Sequence, residues 1–413
     1  MLAAIGSAVG IGNLWRFPYI FATNGGAAFL IPYIICMAVI GLPLMLLETA
    51  AGEKARKSLP AFLKGNWMKL LSLAPILISL AILSYYTVIT GWVLFHAINL
   101  PLSHSSSFAE GANPLYAVPV SLAILMIAFL VAIGGLHKGL ERTLDVMIPL
   151  FFTGLVALFL FSISLPGHFE LATGLFKPDF SKMLDPDTWL FAMSQALYSL
   201  SVGFAILYCY GAYLKARKGL ATTLFTVMVA DLFVSLLAVG TTLPVAMAAG
   251  EATGFSLMFD STLRLFAQMP SGLLFGSVFF ALLFLAAFTS IISMFESPLF
   301  TMRDYFKIGR RKAAAIVAIV MAPAVVFSAF GYAGATVMGL PAVEGLDLIF
   351  GSLLAPFSAL VLALLLSARL DVRKLFKETG VPDALIGPSV LIATKIAPLV
   401  LLALGIVGLA GLL

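Results

Sequence analysis

Eleven apolar runs cover most of the chain, at roughly 1–21, 27–51, 70–99, 116–134, 141–165, 187–213, 219–249, 272–302, 313–332, 346–368 and 386–412. A helix needs about 20 apolar residues to cross a bilayer. The runs lack the two-residue alternation of half-buried strands. The pattern therefore predicts an all-α polytopic membrane protein of about eleven transmembrane helices, not a barrel. Two runs are interrupted in nearly the same way. Ser7-Ala8-Val9-Gly10-Ile11-Gly12-Asn13 breaks the first and Ser199-Leu200-Ser201-Val202-Gly203-Phe204 breaks the sixth, their central glycines 193 residues apart. Unwound backbone at membrane depth is tolerated only where it is buried or lines a cavity. Such breaks at matching positions of two halves point to a binding site between repeats.

Spans 1–5 and 6–10 form two five-span units. Five is odd, so the second unit starts on the opposite side of the membrane, as in an inverted-topology repeat. This places repeat one at about 1–165, repeat two at about 187–368 and an extra helix at about 386–412, within one transmembrane domain covering 1–413. In the exterior loops, Lys177-Pro178-Asp179-Phe180 and Leu184-Asp185-Pro186-Asp187 predict turns and a helix cap.

Composition agrees. The chain is 62% hydrophobic and 10% charged, with mean hydropathy +1.09, against about 45–50% apolar and about 25% charged for soluble domains. Of 24 Lys and Arg, 19 lie in the loops after spans 2, 4, 6, 8 and 10, and only Lys177, Lys182 and Arg264 in the loops after spans 3, 5, 7 and 9. The positive-inside rule then puts the N-terminus in the cytoplasm and the C-terminus outside, in a cell (plasma or inner) membrane. The net charge of +5 is spread by topology and gathers on no one face, so nucleic acid is not expected as a partner. Cys36 and Cys209 lie inside spans with no metal or disulfide spacing. The four histidines are dispersed near span ends or in loops. No cleavable signal peptide is evident. Arg16 is preceded by too few residues to cross about 30 Å of hydrocarbon, so the physiological N-terminus is expected upstream of Met1, by roughly ten to fifteen residues.

Asn13, Arg16 and Asp231 are polar groups in or at the edge of apolar spans. Such groups are costly in a membrane and usually face a cavity. The structural alternatives are a backbone-bonded carboxylate for Asp231, a helix-interface amide for Asn13 and a snorkelling side chain for Arg16. Ala286-Ala287-Phe288-Thr289-Ser290 offers two adjacent hydroxyls, which often bond back to the preceding turn. Hard oxygen donors without a second carboxylate suit Na⁺ better than Ca²⁺ or Mg²⁺. Glu48 and Glu296 can brace unwound backbone or carry protons. One of Tyr85 and Tyr86 is expected to pack and the other to function, and Lys395 to snorkel. His-Glu-x-x-His, a phosphate-binding Gly-Lys-Ser/Thr loop and a Ser/His/Asp set are missing from the spans, so ATP hydrolysis and intramembrane proteolysis lose their usual signatures.

Gly6-Ser7-Ala8-Val9-Gly10-Ile11-Gly12-Asn13-Leu14-Trp15-Arg16-Phe17-Pro18, followed by Asn24-Gly25-Gly26-Ala27 and Ile31-Pro32-Tyr33, closely resembles the neurotransmitter:sodium symporter family, in particular its prokaryotic, leucine-transporter-like amino-acid transporters. The resemblance extends through span 10. It implies the five-plus-five inverted-repeat fold with broken first and sixth helices. It also implies two sodium sites. One would use the Ala8 carbonyl, Asn13, Ser199, Asp231 and the substrate carboxylate. The other would use carbonyls of Gly6, Val9 and Ala286 with Thr289 and Ser290. The carboxylate would meet the Ile11 and Gly12 amides and the Tyr86 hydroxyl. The ammonium would meet the Ala8, Tyr198 and Ser199 carbonyls and Ser201. Ile82, Tyr198, Phe204, Ser290, Ser293 and Met294 would shape the side-chain pocket. Arg16 and Asp347 would form an outer gate, Asp304 would belong to an inner gate, and Glu48 would brace the second break. Tyr33, Gln195, Ser199 and Ser235 match a chloride site of animal members, but Asp231 stands where many members have Asn, so chloride is not expected to be needed. The basic residues that normally precede the first span are missing, which takes an Arg partner from Asp304 and predicts a leaky inner gate for a chain starting at Met1.

The expectation is a sodium-coupled symporter of a neutral, apolar L-amino acid working by alternating access, and no enzyme. Gly10 stands where amine carriers of the family place an Asp, so the ligand would bring its own carboxylate. A non-transporting receptor or inactive paralogue of the same fold is the alternative, and a channel a third.

Overall fold

The structure is a computed structural model that describes residues 10–103, 107–134, 140–164, 173–174, 176–214, 219–248, 254–267 and 272–410. Among them, eight helices are long and apolar enough to cross a membrane: Gly26–Ala55, Asn66–Leu102, Pro114–Gly134, Leu220–Thr241, Gly272–Tyr305, Arg310–Ala329, Ala342–Ser367 and Asp383–Ala410. The other three apolar runs are the first, fifth and sixth. The first is described from Gly10 onward, as a π-helical turn Gly12–Arg16 leading into Phe17–Thr23. The fifth forms Leu140–Ser162, whose apolar part is Ile148–Ser162. The sixth divides into Pro186–Ser199 and Ile206–Tyr213. The first and sixth are interrupted, whereas the fifth is one continuous helix over Leu140–Ser162.

Helix starts follow the expected chemistry. Asp185 caps Pro186–Ser199 by accepting from the Asp187 amide at 3.0 Å, and Asp179 caps the short turn Phe180–Leu184 through Ser181. A side-chain oxygen there satisfies an amide the helix leaves free. One of the loops expected on the exterior side departs from the expectation. Residues 254–267, within the loop expected at 250–271, fold as a helix whose Phe259, Leu263 and Phe266 are buried. Its apolar face is too short to read as a span, but it packs on the seventh and eighth helices. A two-residue hairpin, Thr336–Val337 with Leu340–Pro341, is the strand structure among the described residues.

Packing divides the helices into two groups. The third and eighth lie against each other along their length, and the fourth and ninth pack on them and on each other. The second packs on the outgoing half of the sixth, while the seventh packs on the first. Exchange of partners between the halves is what an inverted repeat requires. Small residues allow the closest approach, as is usual between membrane helices. A Cβ on Gly52 would strike the Tyr208 carbonyl, and one on Gly211 the Thr49 carbonyl. Gly52→Val is therefore expected to cost about 1–3 kcal/mol through overpacking, read as a lower thermal-unfolding midpoint in detergent. Gly134→Ala, where a Cβ meets nothing within 4 Å, should leave the midpoint in place. Equal midpoints for all three proteins would show that the second and sixth helices are not locked at this crossing.

Candidate binding site at the helix breaks

The sixth helix unwinds between Leu200 and Ala205. Ser201 and Ala205 adopt left-handed backbone at φ 56° and 57°, and Gly203 lies at φ 91°. The first two are strained for residues with a Cβ. Buried polar backbone must find partners, and here side chains from other helices supply them. Glu48 Oε1 accepts from the Gly203 amide at 2.8 Å, and the Ser358 hydroxyl donates to the Gly203 carbonyl. Only glycine fits, because a Cβ on Gly203 would stand 2.9 Å from the Ala359 amide nitrogen. At the first break, the Gly10 amide donates to Asn13 Oδ1 at 3.0 Å and the Ile11 amide to the Tyr86 hydroxyl at 3.2 Å.

The seventh helix brings Asp231 to this junction, fully buried. Asn13 Nδ2 donates to Asp231 Oδ1 at 2.6 Å and lies within 2.9 Å of Ser235 Oγ and 3.2 Å of Ser199 Oγ. Ser199 Oγ donates to the same carboxylate oxygen at 2.6 Å, and the Tyr33 hydroxyl donates to the other at 3.4 Å. Among the described residues, no basic side chain lies within ion-pair distance of Asp231. Its partners are side chains, so it is not the backbone-bonded carboxylate considered as an alternative.

A cavity abuts this cluster. Gly10, Gly12, Asn13, Ser79, Ile82, Tyr86, Tyr198, Ser199, Ser201, Phe204, Ile206, Ser290, Ser293 and Met294 line it. Helices one, three, six and eight thus converge on one space. Ile11 lies beside it through its amide contact with Tyr86. Thr289 is buried one turn away and donates back to the Ala286 carbonyl at 2.7 Å, the local bond such hydroxyls favour. Gly6, Ala8 and Val9 lie outside the described residues.

Above the cavity, Arg16 is 2% exposed and so does not snorkel. Its Nε donates to Asp347 Oδ2 at 3.2 Å, its Nη1 to Gln195 Oε1 at 2.6 Å and its Nη2 to Ser352 Oγ at 2.7 Å. The guanidinium also stands 5.0 Å from the centre of the Tyr198 ring. Asp347 accepts a second bond, from the Tyr85 hydroxyl at 2.9 Å. Both tyrosines of the Tyr85-Tyr86 pair are therefore engaged, and neither is mere packing. Gln195 differs from its expected grouping. It joins Arg16 and, through its amide, the Gly12 carbonyl at 3.4 Å, while Tyr33, Ser199 and Ser235 gather around Asp231 and Asn13.

A family model described as the sodium:neurotransmitter symporter family matches residues 1–110 and 111–380. The chain belongs to this family. An archaeal relative, described as an uncharacterized sodium-dependent transporter from Methanocaldococcus jannaschii, is 34% identical over 351 residues, covering 76% of this chain and 70% of its own. The human sodium-dependent neutral amino acid transporter SLC6A17 is 28% identical over 282 residues, 58% of this chain and 38% of its own. The crystal structure of MhsT in complex with L-phenylalanine superposes with a TM-score of 0.91 at 30% identity, covering 98% of this chain and 97% of that one. The fold is thus the leucine-transporter-like arrangement, in a family of multi-pass sodium-dependent transporters.

The opposite end of the symporter fold holds contacts that the sequence did not single out. Glu296 accepts two bonds from Arg310, at 2.9 and 2.7 Å, and one from the Tyr213 hydroxyl at 2.8 Å. Arg310 reads in the sequence only as a topology-setting charge. Asp304 has partners among the described residues. It accepts from the Ser58 amide at 2.7 Å and hydroxyl at 3.0 Å, and lies 3.6 Å from Lys307. Ser79, Ile206, Tyr210, Ser352 and Ser358 also carry no sequence signal, since each is an ordinary residue of an apolar run. Tyr210 contacts Ser293 through its hydroxyl. Lys395 is exposed on the eleventh helix.

Proposed function

We propose that the protein is a sodium-coupled symporter of a neutral, apolar L-amino acid working by alternating access. The observation that carries this reading is the buried Asp231 carboxylate, clustered with Asn13 and Ser199 between two helix breaks and, among the described residues, lacking a cationic side-chain partner. An uncompensated carboxylate inside a membrane protein is costly, and a sodium ion carried as co-substrate would offset that cost. The known ligands of relatives support the substrate class. MhsT was solved with L-phenylalanine, and SLC6A17 is described as a neutral amino acid transporter.

In this reading the substrate carboxylate displaces Tyr86 from the Ile11 amide and takes the hydroxyl's hydrogen bond together with the Ile11 and Gly12 amides. It then completes the shell of a sodium held by Asn13, Ser199, Asp231 and the Ala8 carbonyl. Each ligand raises the affinity of the other, which is reciprocal coupling. The ammonium meets Ser201 and the Ala8, Tyr198 and Ser199 carbonyls. Ile82, Tyr198, Phe204, Met294, Ser290 and Ser293 surround the side chain. They offer hydroxyls but no charge, which disfavours lysine or glutamate. A second sodium uses Thr289, Ser290 and carbonyls of Gly6, Val9 and Ala286. The Arg16–Asp347 pair closes the outer side, and Asp304 with its partners closes the inner side. The N-terminus is cytoplasmic and the C-terminus extracytoplasmic.

Three measurements test this. In sodium-dependent competition binding across the twenty amino acids, neutral apolar ones should win, and Tyr86→Phe should weaken the best ligand by about 1.5–3 kcal/mol, the scale of a hydrogen bond to a charge. A preference for lysine or glutamate would overturn the substrate class, and unchanged affinity in Tyr86→Phe would remove Tyr86 from the carboxylate site. Replacing Thr289 and Ser290 together with Ala should weaken the sodium dependence of uptake in proteoliposomes. Full coupled uptake by that double variant would show the second sodium lies elsewhere.

The third concerns chloride. Asp231 and Ser235 stand one turn apart on one helix face, so an anion beside Ser235 would meet a carboxylate of like charge. Uptake should persist in gluconate, and Asp231→Asn should make it chloride-sensitive. Collapse of wild-type uptake without chloride would refute Asp231 as the stand-in for the anion.

A further inference from the structure

The two most basic loops of the chain follow the second and eighth helices, with five Lys and Arg each. The fold ties them together. Ser58 in the first donates to Asp304 at the end of the eighth helix, and Lys69 Nζ stands 5.7 Å from the centre of the Tyr305 ring. Between them opens a cavity of about 250 Å³, lined by Pro60, Asn66, Lys69, Leu70, Leu73 and Tyr305. It is separate from the cavity at the helix breaks and shares no residue with it.

Its two walls differ in chemistry. Asn66, Lys69 and Tyr305 offer an amide, an ammonium and a phenol, three kinds of donor. Among the described residues none of these polar ends makes a hydrogen bond, and no carboxylate lies within ion-pair distance of Lys69. Leu70, Leu73 and Pro60 form the apolar wall. That wall continues onto a surface where Trp67 is 78% exposed and Leu70 57% exposed, with Phe306 also exposed beside Tyr305. Nearby acids are engaged, Glu53 with Arg56 and Asp304 with Lys307. Exposed Trp beside Lys and Arg marks the membrane–water interface, and the positive-inside rule assigns this face to the cytoplasmic leaflet. Basic clusters there attract anionic lipid headgroups.

We propose that this cavity holds the phosphate of an anionic phospholipid of the cytoplasmic leaflet. Asn66, Lys69 and Tyr305 donate to the phosphate, and the acyl chains lie over Leu70, Leu73 and Trp67. Free phosphate would use only the polar wall, and the adjoining exposed apolar surface favours a ligand with chains.

The test is native mass spectrometry of the delipidated full chain, titrated separately with phosphatidylglycerol, phosphatidylcholine and glycerol phosphate. One phosphatidylglycerol should bind more tightly than phosphatidylcholine, and glycerol phosphate should not displace it. Lys69→Gln should weaken that binding about fivefold, the contribution of one Lys near a lipid surface. Lys69→Arg should restore it, which separates loss of the donor from loss of the fold. Lys395→Gln, which removes an exposed charge elsewhere, should leave it unchanged. Equal binding by Lys69→Gln, failure of Lys69→Arg to restore it, equal loss in Lys395→Gln, equal retention of phosphatidylcholine, or displacement by glycerol phosphate would each overturn the assignment.

Discussion

Unwound backbone inside a membrane must be satisfied by the protein itself, and that constraint organises the centre of this molecule. Gly10 and Gly203 are buried, and lipid offers no hydrogen bonds to the amides and carbonyls freed there. Each break therefore draws in side chains from other helices. Glu48 of the second and Ser358 of the tenth hold the Gly203 peptide. Tyr86 of the third and Gln195 of the sixth hold groups of the first. The unwound segments are thus where the repeats are stitched together, and the cavity lies between the stitches.

The same economy governs buried charge. Arg16 is enclosed by five kinds of partner: a carboxylate, a side-chain amide oxygen, a hydroxyl, a backbone carbonyl and an aromatic face. Such a guanidinium is tolerable only because its donors are met. Glu296 is treated likewise at the other end, by Arg310 and Tyr213. Asp231 and Glu48 differ: both are buried, and among the described residues each is held by hydrogen bonds without a basic side chain in ion-pair distance. Among the described residues the buried ion pairs stand toward the two ends, Arg16 with Asp347 and Arg310 with Glu296, and the carboxylates without one lie at the helix breaks.

Much of this was legible in the sequence. Apolar run lengths and the odd five-span unit announced an inverted-repeat bundle, because lipid imposes a fixed thickness and closed hydrogen bonding on any spanning segment. The twin glycine breaks marked where the bundle would be irregular. Asn13, Arg16 and Asp231 stood out because polar side chains are expensive in apolar runs. Helix 254–267 was not legible, since an amphipathic helix lying on the bundle has neither the length nor the uniform apolarity of a span.

What the sequence determined by itself was therefore the environment and the exceptions to it. Tertiary structure decided which exceptions meet. Only the fold shows that Tyr85 serves Asp347, that Gln195 serves Arg16 rather than the Ser199–Ser235 group, and that Ser58 compensates Asp304. The physical reason is that a hydrogen bond depends on a few tenths of an ångström between groups up to 336 residues apart. Hydropathy fixes which residues stay inside the membrane, but not which neighbour each will find there.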